Sequence, residues 1–395
     1  MILLSSLLLV LALLFLVPAL VLCLECVLAM RPSRTQAPDS GAPPPSVAVL
    51  IPAHNEELTI ETAIVTVLPE LAPADRLVVI ADNCTDKTAD IAREGGAIVI
   101  ERAEPDRKSK GYALRYGLQR LVNDPPQVVV VLDADCTVSP GTVARLARRA
   151  HDSGRPVQAR YVVELPSKAD RLAAVSAFAF LVKSLRPRGL HQLGLPCALM
   201  GSGMALPWSL IDKATLDGDS LVEDLQWGLN LTLAGYPPMY CPDAEVTPRH
   251  PTQRNAVMSQ RRRWEHGHLA ILVGQGPRVV ARALRTGRLH LIAVALDLCV
   301  PPLSLLMLLI TVTLGGALLA ARAGGSWTPV GLLGLAGALV GLTVASVWWK
   351  FARAWVPVTT LLMSPWYVLW KVSLYRDFLV RRQRAWVRTE REPPL

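Results

Sequence analysis

The sequence predicts an α/β domain with a mostly parallel sheet, covered by helices on both faces and held between apolar helical ends. Three observations carry this. Residues 46–276 alternate short apolar strands with helical stretches, an order that builds parallel sheets. Of 395 residues, 51% are apolar and 18% charged, below the roughly 25% charge of soluble domains, and the apolar excess sits mainly at the two ends. The polar residues capable of chemistry fall just after strands, where open α/β sheets bind their ligands.

The first apolar stretch begins at the N-terminus. Residues 1–24 carry no charge, lack the basic start of a secretory signal and exceed its apolar core of about 7–15 residues. Residues 2–28 therefore read as an uncleaved anchor. Arg31 and Arg34 follow it and place its C-terminal side in the cytoplasm. Residues 35–46 are rich in Pro, Ala, Gly and Ser and read as a linker.

The strands and helices come next. Residues 47–51, 77–81, 97–101 and 128–132 read as strands, and residues 56–68, 86–94 and 111–122 as helices. After the first strand comes Pro52-Ala53-His54-Asn55-Glu56. After the second comes Asp82-Asn83-Cys84-Thr85-Asp86, and after the fourth Asp133-Ala134-Asp135. All three land on one rim. No G-x-G-x-x-G or G-x-x-x-x-G-K-[ST] follows a strand, so a dinucleotide or P-loop site is unsupported.

Asp133 and Asp135 would repel one another at a strand end without a counter-charge. A divalent cation supplies one, and hard cations take oxygen ligands; the alternative is a capped turn. Glu223-Asp224 opens a helix, where the dipole stabilises acids, or supplies a base facing the rim. Gln260, Arg263 and Trp264 share one helix face. Arg suits pyrophosphate oxygens, and the alternative is a basic interfacial helix. His266 and His268 lack an evident third ligand and read as structural. Gly201-Ser202-Gly203 is a turn through which backbone could approach a substrate closely.

Three apolar stretches lie beyond this. Residues 291–321 contain Asp297 and Pro301-Pro302 and suffice for one kinked span, which needs about 20 residues. Residues 326–349 return across. Residues 354–370, broken by Pro357 and Pro365, read as re-entrant or interfacial, because the basic stretch 376–391 belongs inside with Lys350 and Arg353; the alternative is a fourth span with the basic tail outside. Asp297 reads as the only acid within these apolar segments. The resulting layout is an anchor (1–30), a linker (31–45), a catalytic domain (46–276), a basic interfacial segment (277–290) and two transmembrane helices (291–349). An interfacial or re-entrant segment (350–380) and a basic cytosolic tail (381–395) complete it.

The net charge is +9. No zinc finger, helix-turn-helix or RNA-binding motif accompanies it, so no nucleic-acid partner is expected. Flanking of membrane spans accounts for it. The seven cysteines are odd in number and scattered, which fits reduced thiols facing the cytosol rather than a zinc or redox site.

Together these residues resemble the membrane-integrated family 2 glycosyltransferases, which include cellulose, hyaluronan and poly-N-acetylglucosamine synthases and ceramide glucosyltransferases. The matching pieces are Pro52–Glu56, Asp82, Lys110-Gly111, Asp133-x-Asp135, Gly201–Gly203, Glu223-Asp224 and Gln260-x-x-Arg263-Trp264. The resemblance implies a GT-A fold and a cytosolic, commonly UDP-linked, nucleotide-sugar donor. It implies that His54, Glu56, Asp82 and Lys110 line the nucleotide pocket, and that Asp133 and Asp135 hold Mg²⁺ or Mn²⁺. Asp224 would be the general base. Gln260 and Arg263 would contact the diphosphate, while Trp264 and Gly201–Gly203 would face the acceptor. His54 stands where several relatives carry an aromatic residue. The implied reaction is inverting transfer to a cell-surface polysaccharide or lipid-linked acceptor, or transfer of one sugar to ceramide or diacylglycerol. The span count is low for a polymer channel, which points to a homo-oligomer, an export partner or a lipid-linked acceptor. The expected place is a bacterial inner membrane, with membrane lipid around the spans.

Overall fold

The computed structural model describes residues 2–32, 43–163, 171–249 and 254–383. The expected linker falls largely, and the expected basic tail almost wholly, outside them. The chain divides into two compact units. One comprises Met1–Pro32, Ser167–Gly194 and Leu269–Arg382, the other Ser33–Pro166, Leu195–His268 and Gln383–Leu395.

In chain order the helical unit opens with α1 (Ile2–Ala29), and the sheet unit with β1 (Val47–Ala53), α2 (Ile60–Val67), β2 (Arg76–Asp82) and α3 (Thr88–Glu94). Then follow β3 (Ile98–Arg102), α4 (Lys110–Arg120), β4 (Val128–Val131), β5 (Cys136–Val138), α5 (Thr142–Ser153) and β6 (Val157–Tyr161). Next are α6 (Arg171–Gln192), β7 (Met204–Pro207), α7 (Glu223–Leu233), β8 (Met239–Pro248) and α8 (Arg254–Gly274). The chain continues with α9 (Gly276–Thr286), α10 (Leu289–Leu298), α11 (Leu303–Arg322), α12 (Thr328–Val347), α13 (Val358–Leu361) and α14 (Ser364–Val380).

The eight strands form one sheet in the order β3-β2-β1-β4-β7-β6-β8-β5. Pairs β3–β2, β2–β1, β1–β4 and β6–β8 are parallel, and the other three are antiparallel. The sheet is thus mostly parallel, as expected. Alternation along β1 and β4 splits the core into two layers. Val47, Val49, Ile51, Val128 and Val130 face α2 and α5 through Ile60, Ile64, Val143 and Leu146. Ala48, Leu50, Val129 and Val131 face α4 and α7 through Leu114, Leu118, Trp227 and Leu231. Burial on both faces explains why these strands read as unbroken apolar runs.

Two helices start later than the sequence suggests. The amides of Thr59 and Ile60 both donate to the Glu56 carbonyl, and Thr59 Oγ1 donates to Glu56 Oε2 at 3.0 Å. This turn delays α2 to Ile60. Asp86 Oδ1 accepts the Thr88 amide at 3.0 Å, so α3 starts at Thr88, because Asp offers the backbone a local alternative to helix.

In the helical unit, α1, α11 and α12 are long and apolar enough to cross a membrane. Ala19, Leu22 and Cys26 pack with Phe178, Val182 and Leu185 of α6, Leu306 and Ile310 of α11, and Ala336 and Val340 of α12. Leu3, Val10, Leu14, Val312, Leu319 and Leu342 are exposed. The apolar stretch 291–321 is two helices, since Pro301-Pro302 separates α10 from α11. Pro357 and Pro365 likewise sit at the starts of α13 and α14.

Within 46–276, α6 and the residues from Leu269 onward group with the apolar helices. One expectation needs correction: Asp297 is not the only acid within the apolar segments, because α1 runs on through Glu25. Arg186 of α6 meets both acids. Its Nε meets Glu25 Oε2 at 2.7 Å, and its Nη2 pairs with Asp297.

Candidate active site

The parallel register brings the carboxyl ends of β1, β2 and β4 to one edge, where Ala53 pairs with Ala81 and Leu50 with Val131. Antiparallel β7 begins there too, with Met204 opposite Val131. The loops that follow β1, β2 and β4, and the loop that precedes β7, therefore meet on one rim.

The first two loops are tied together. Asn55 and Asn83 have φ of 56° and 52°, a left-handed conformation that Asn tolerates better than most residues. Asn55 Oδ1 accepts the Thr85 amide at 2.7 Å, and Thr88 Oγ1 accepts the Glu56 amide at 2.8 Å. His54 Nδ1 lies 2.6 Å from the Asp82 carbonyl oxygen. A carbonyl only accepts, so Nδ1 carries the proton.

Asp82 is buried, and its Oδ1 accepts from Arg102 Nη1 at 2.5 Å and Asn83 Nδ2 at 2.9 Å. Burial pushes its carboxyl above the ordinary range, against the pull of Arg102. Sequence reasoning missed Arg102. Its signal was an opposite charge at the end of the neighbouring strand, and Asp82 and Arg102 are indeed register partners.

Lys110 is the first residue of α4, a start that Ser109 caps by accepting the Tyr112 amide at 3.2 Å. Its Nζ pairs with Asp133, donates to the Gly201 carbonyl at 2.5 Å and lies 3.9 Å from Glu223 Oε1. Burial alone would lower the Lys110 pKa, but Asp133, Glu223 and Asp224 together push it up. Burial, reinforced by the Asp224 charge, pushes the Glu223 carboxyl up to about 7.

The glycine turn is held from behind. Asp133 N–H donates to Ser202 Oγ at 3.0 Å, and Ser202 N–H to Tyr161 Oη at 2.8 Å. Tyr161 donates in turn to the Met200 carbonyl at 2.6 Å, and Gln158 Nε2 to the Ser202 carbonyl at 2.8 Å. Tyr161 and Gln158 lie on β6, which gave no clear sequence signal. Gly201 has φ of 94°, and a Cβ there would lie 3.1 Å from Asp224 Oδ2 and 3.5 Å from Lys110 Nζ. Lys110, Asp133, Gly201, Ser202, Glu223 and Asp224 are therefore one cluster.

Asp133, Asp135 and Cys136 offer ligand atoms within 4.8 Å of one another. The Asp133 side chain is 35% exposed, whereas Cys136 is buried. Two carboxylates reachable from solvent suit a hard divalent cation.

On α8, Gln260 is buried, Arg263 and Trp264 are half-buried, and the Arg261 guanidinium lies 5.0 Å over the Trp264 ring. Gly267 extends the Gln260-Arg263-Trp264 stripe by one turn. A Cβ there would lie 2.6 Å from Val222 Cγ1. The stripe thus runs against the residue that precedes Glu223.

Residues 43–267 match the family described as Glycosyltransferase like family 2. The chain belongs to this family. Within it, the chain is 26% identical over 240 residues to the probable glycosyltransferase YdaM of Bacillus subtilis, covering 58% of this chain and 56% of that protein. It is 42% identical over 95 residues to the low-salt glycan biosynthesis hexosyltransferase Agl6 of Haloferax volcanii, covering 24% of this chain and 22% of that protein. The chain thus spans little more than half of YdaM and less of Agl6. In fold it is similar to the mannosyltransferase PcManGT of Pyrobaculum calidifontis, solved with GDP-Man and Mn²⁺. That likeness has a TM-score of 0.62 at 19% identity and covers 96% of this chain and 100% of that one. The family 2 sheet unit has the GT-A architecture.

Proposed function

We propose that the protein is an inverting membrane glycosyltransferase. It moves a sugar from a nucleotide-sugar, in our reading a UDP-sugar, to a growing cell-surface polysaccharide or a lipid-linked acceptor. The observation that carries the reading is the cluster of Lys110, Asp133, Glu223 and Asp224 around the Gly201–Gly203 turn on the sheet rim. Its chemistry suits a diphosphate leaving group and an attacking hydroxyl.

In this reading Asp133 and Asp135 hold Mg²⁺ or Mn²⁺; PcManGT is a Mn²⁺ complex. A divalent cation there supplies positive charge against the leaving diphosphate. His54, Glu56, Asp82 and Lys110 bind the nucleotide, and Gln260 and Arg263 bind the diphosphate. Gly201, Ser202, Gly203 and Trp264 receive the acceptor. Asp224 accepts the hydroxyl proton as the oxygen attacks the anomeric carbon. The bond to the diphosphate breaks on the opposite face, so an α-linked donor yields a β-glycoside. Arg263 stabilises the charge that develops on the departing oxygen.

The expected layout, with the catalytic domain in the cytoplasm of a bacterial inner membrane, is proposed with it. Arg31 after α1 and Arg278, Arg282 and Arg285 on α9 support that side. A second reading, transfer of one sugar to ceramide or diacylglycerol, is favoured by exposed apolar side chains around α13 and α14. Trp366 is 62% and Leu362 75% exposed, and such residues suit a lipid boundary.

The test is nucleoside diphosphate release by detergent-purified protein, offered UDP- and GDP-sugars with Mn²⁺ or Mg²⁺. We expect metal-dependent release from one donor, lost in Asp135→Ala. Absence of release and of donor binding across the panel, from folded protein with added lipid, overturns the reading. The product, polymer or a single sugar per lipid, separates the two acceptors.

A further inference from the structure

Lys110 pairs with Asp133, one of the two carboxylates that could hold a metal. Its backbone is fixed: Ser109 Oγ caps α4 and donates to the Gly218 carbonyl, and a Cβ on Gly111 would lie 2.6 Å from the Asp217 carbonyl oxygen. Its head reaches from that root on a flexible stem. The ammonium already answers the charge on Asp133 and contacts the Gly201 carbonyl and Glu223.

We propose, building on the glycosyltransferase reading above, that Lys110 is a resident counter-ion for Asp133. It keeps the Asp133–Asp135 pair from holding a divalent cation tightly until the donor's diphosphate draws the ammonium away. The argument is one of charge. Among the described residues, the Lys110 ammonium pairs with Asp133, lies 3.9 Å from Glu223 and shares the Gly201 turn with Asp224. A divalent cation bound at Asp133 would stand beside that ammonium and be repelled, the more so in a half-buried site. A diphosphate offers Lys110 new oxygen partners and removes the competition. Metal and donor then bind cooperatively, and each tightens the other by the same factor.

The experiment measures Mn²⁺ binding to full-length purified protein from the spin resonance of free Mn²⁺. It is run without nucleotide and with UDP or GDP, for wild type, Lys110→Gln, Lys110→Arg and Asp135→Ala. Wild type should hold Mn²⁺ weakly alone, and about tenfold or more tightly with the matching nucleotide. Lys110→Gln should hold Mn²⁺ alone about tenfold more tightly than wild type, with a smaller gain from nucleotide. Lys110→Arg, which keeps the charge, should follow wild type, and thermal melting shows whether each variant is folded. Tight Mn²⁺ binding by nucleotide-free wild type, or no gain in folded Lys110→Gln, overturns the counter-ion while Asp135-dependent binding leaves the metal site standing. Absence of Asp135-dependent binding in every protein, with nucleotide present, overturns both.

Discussion

Each compact unit gathers several carboxylates around one cation, with opposite access to solvent. In the sheet unit, Lys110 serves Asp133, Glu223 and Asp224, and the Asp133 side chain is 35% exposed. In the helical unit, Arg186 joins Glu25 and Asp297, and the Arg186 and Glu25 side chains are 9% and 4% exposed. The surplus negative charge is open to a ligand in the first and closed off in the second. An open network can exchange its cation for another, whereas a closed one fixes helices at a definite crossing. Gly189 fits this, since it lets α6 approach the α1 backbone at Glu25 more closely than any side chain would allow. Charge near the edge of an apolar helix therefore holds structure here, and charge on the sheet rim stays within reach of a ligand.

The largest expected effects come from breaking each network at its centre. Asp224→Asn should lower transfer by about 10³-fold while donor binding and melting temperature stay near wild type. Wild-type turnover in that variant removes Asp224 as the base. Arg186→Met should do the opposite. It leaves buried Glu25 and half-buried Asp297 without their cation, a loss of about 3 kcal/mol, read as a large fall in thermal midpoint in detergent. Adding Glu25→Gln to Arg186→Met should recover part of that loss. A stable single variant would mean that the closed network carries little of the helical packing.

The same contrast explains what could be read from the chain. The strands β1, β2 and β4 were legible because burial on both faces leaves unbroken apolar runs such as Val128–Val131. Strands β5 to β8 were not. β5 has three residues, β6 carries Gln158 and Arg160, and β8 contains Pro242 and pairs with β6 across a register shift. The acids after strands were legible as a rim, because parallel strands end together. The bond between Lys110 and Asp133, and the reach to Glu223, depend on how loops distant in sequence fold over that rim. Glu25 falls inside the stretch 2–28 that reads as the anchor. Its partner Arg186 lies 161 positions away, inside the stretch that reads as catalytic domain.

Smaller effects should separate the two glycines of the turn. A Cβ on Gly203 would lie 2.7 Å from Ala159 Cβ and from Val246 Cγ2, inside the core, at φ of 65°. Gly203→Ala should therefore cost about 1–3 kcal/mol of stability. A Cβ on Gly201 meets Asp224 Oδ2 and Lys110 Nζ instead. Gly201→Ala should raise the acceptor KM and lower kcat, about tenfold in kcat/KM, with a smaller change in melting. Equal losses of stability in both would merge the turn with the core and take the open network's accessibility with it.

The smallest expected effect is a pH dependence in the open network. Burial and the neighbouring Asp224 charge push the Glu223 carboxyl up to about 7 from its ordinary 4.5. Between these values the folded protein holds a proton that the unfolded chain has released, so stability falls as pH rises through that window. Below it both states are protonated, and the Glu223 contribution is fully present. Above it a buried carboxylate has to be carried next to Asp224, with Lys110 3.9 Å away as partial compensation. Metal-free wild type should therefore lose on the order of 5 °C in melting temperature between pH 5 and pH 8. Glu223→Gln keeps the size and removes the titration, so its melting curve should be flatter over that interval. An unchanged slope in the variant would assign the dependence to another group, and would leave Lys110 with a fully charged Glu223 at every pH tested.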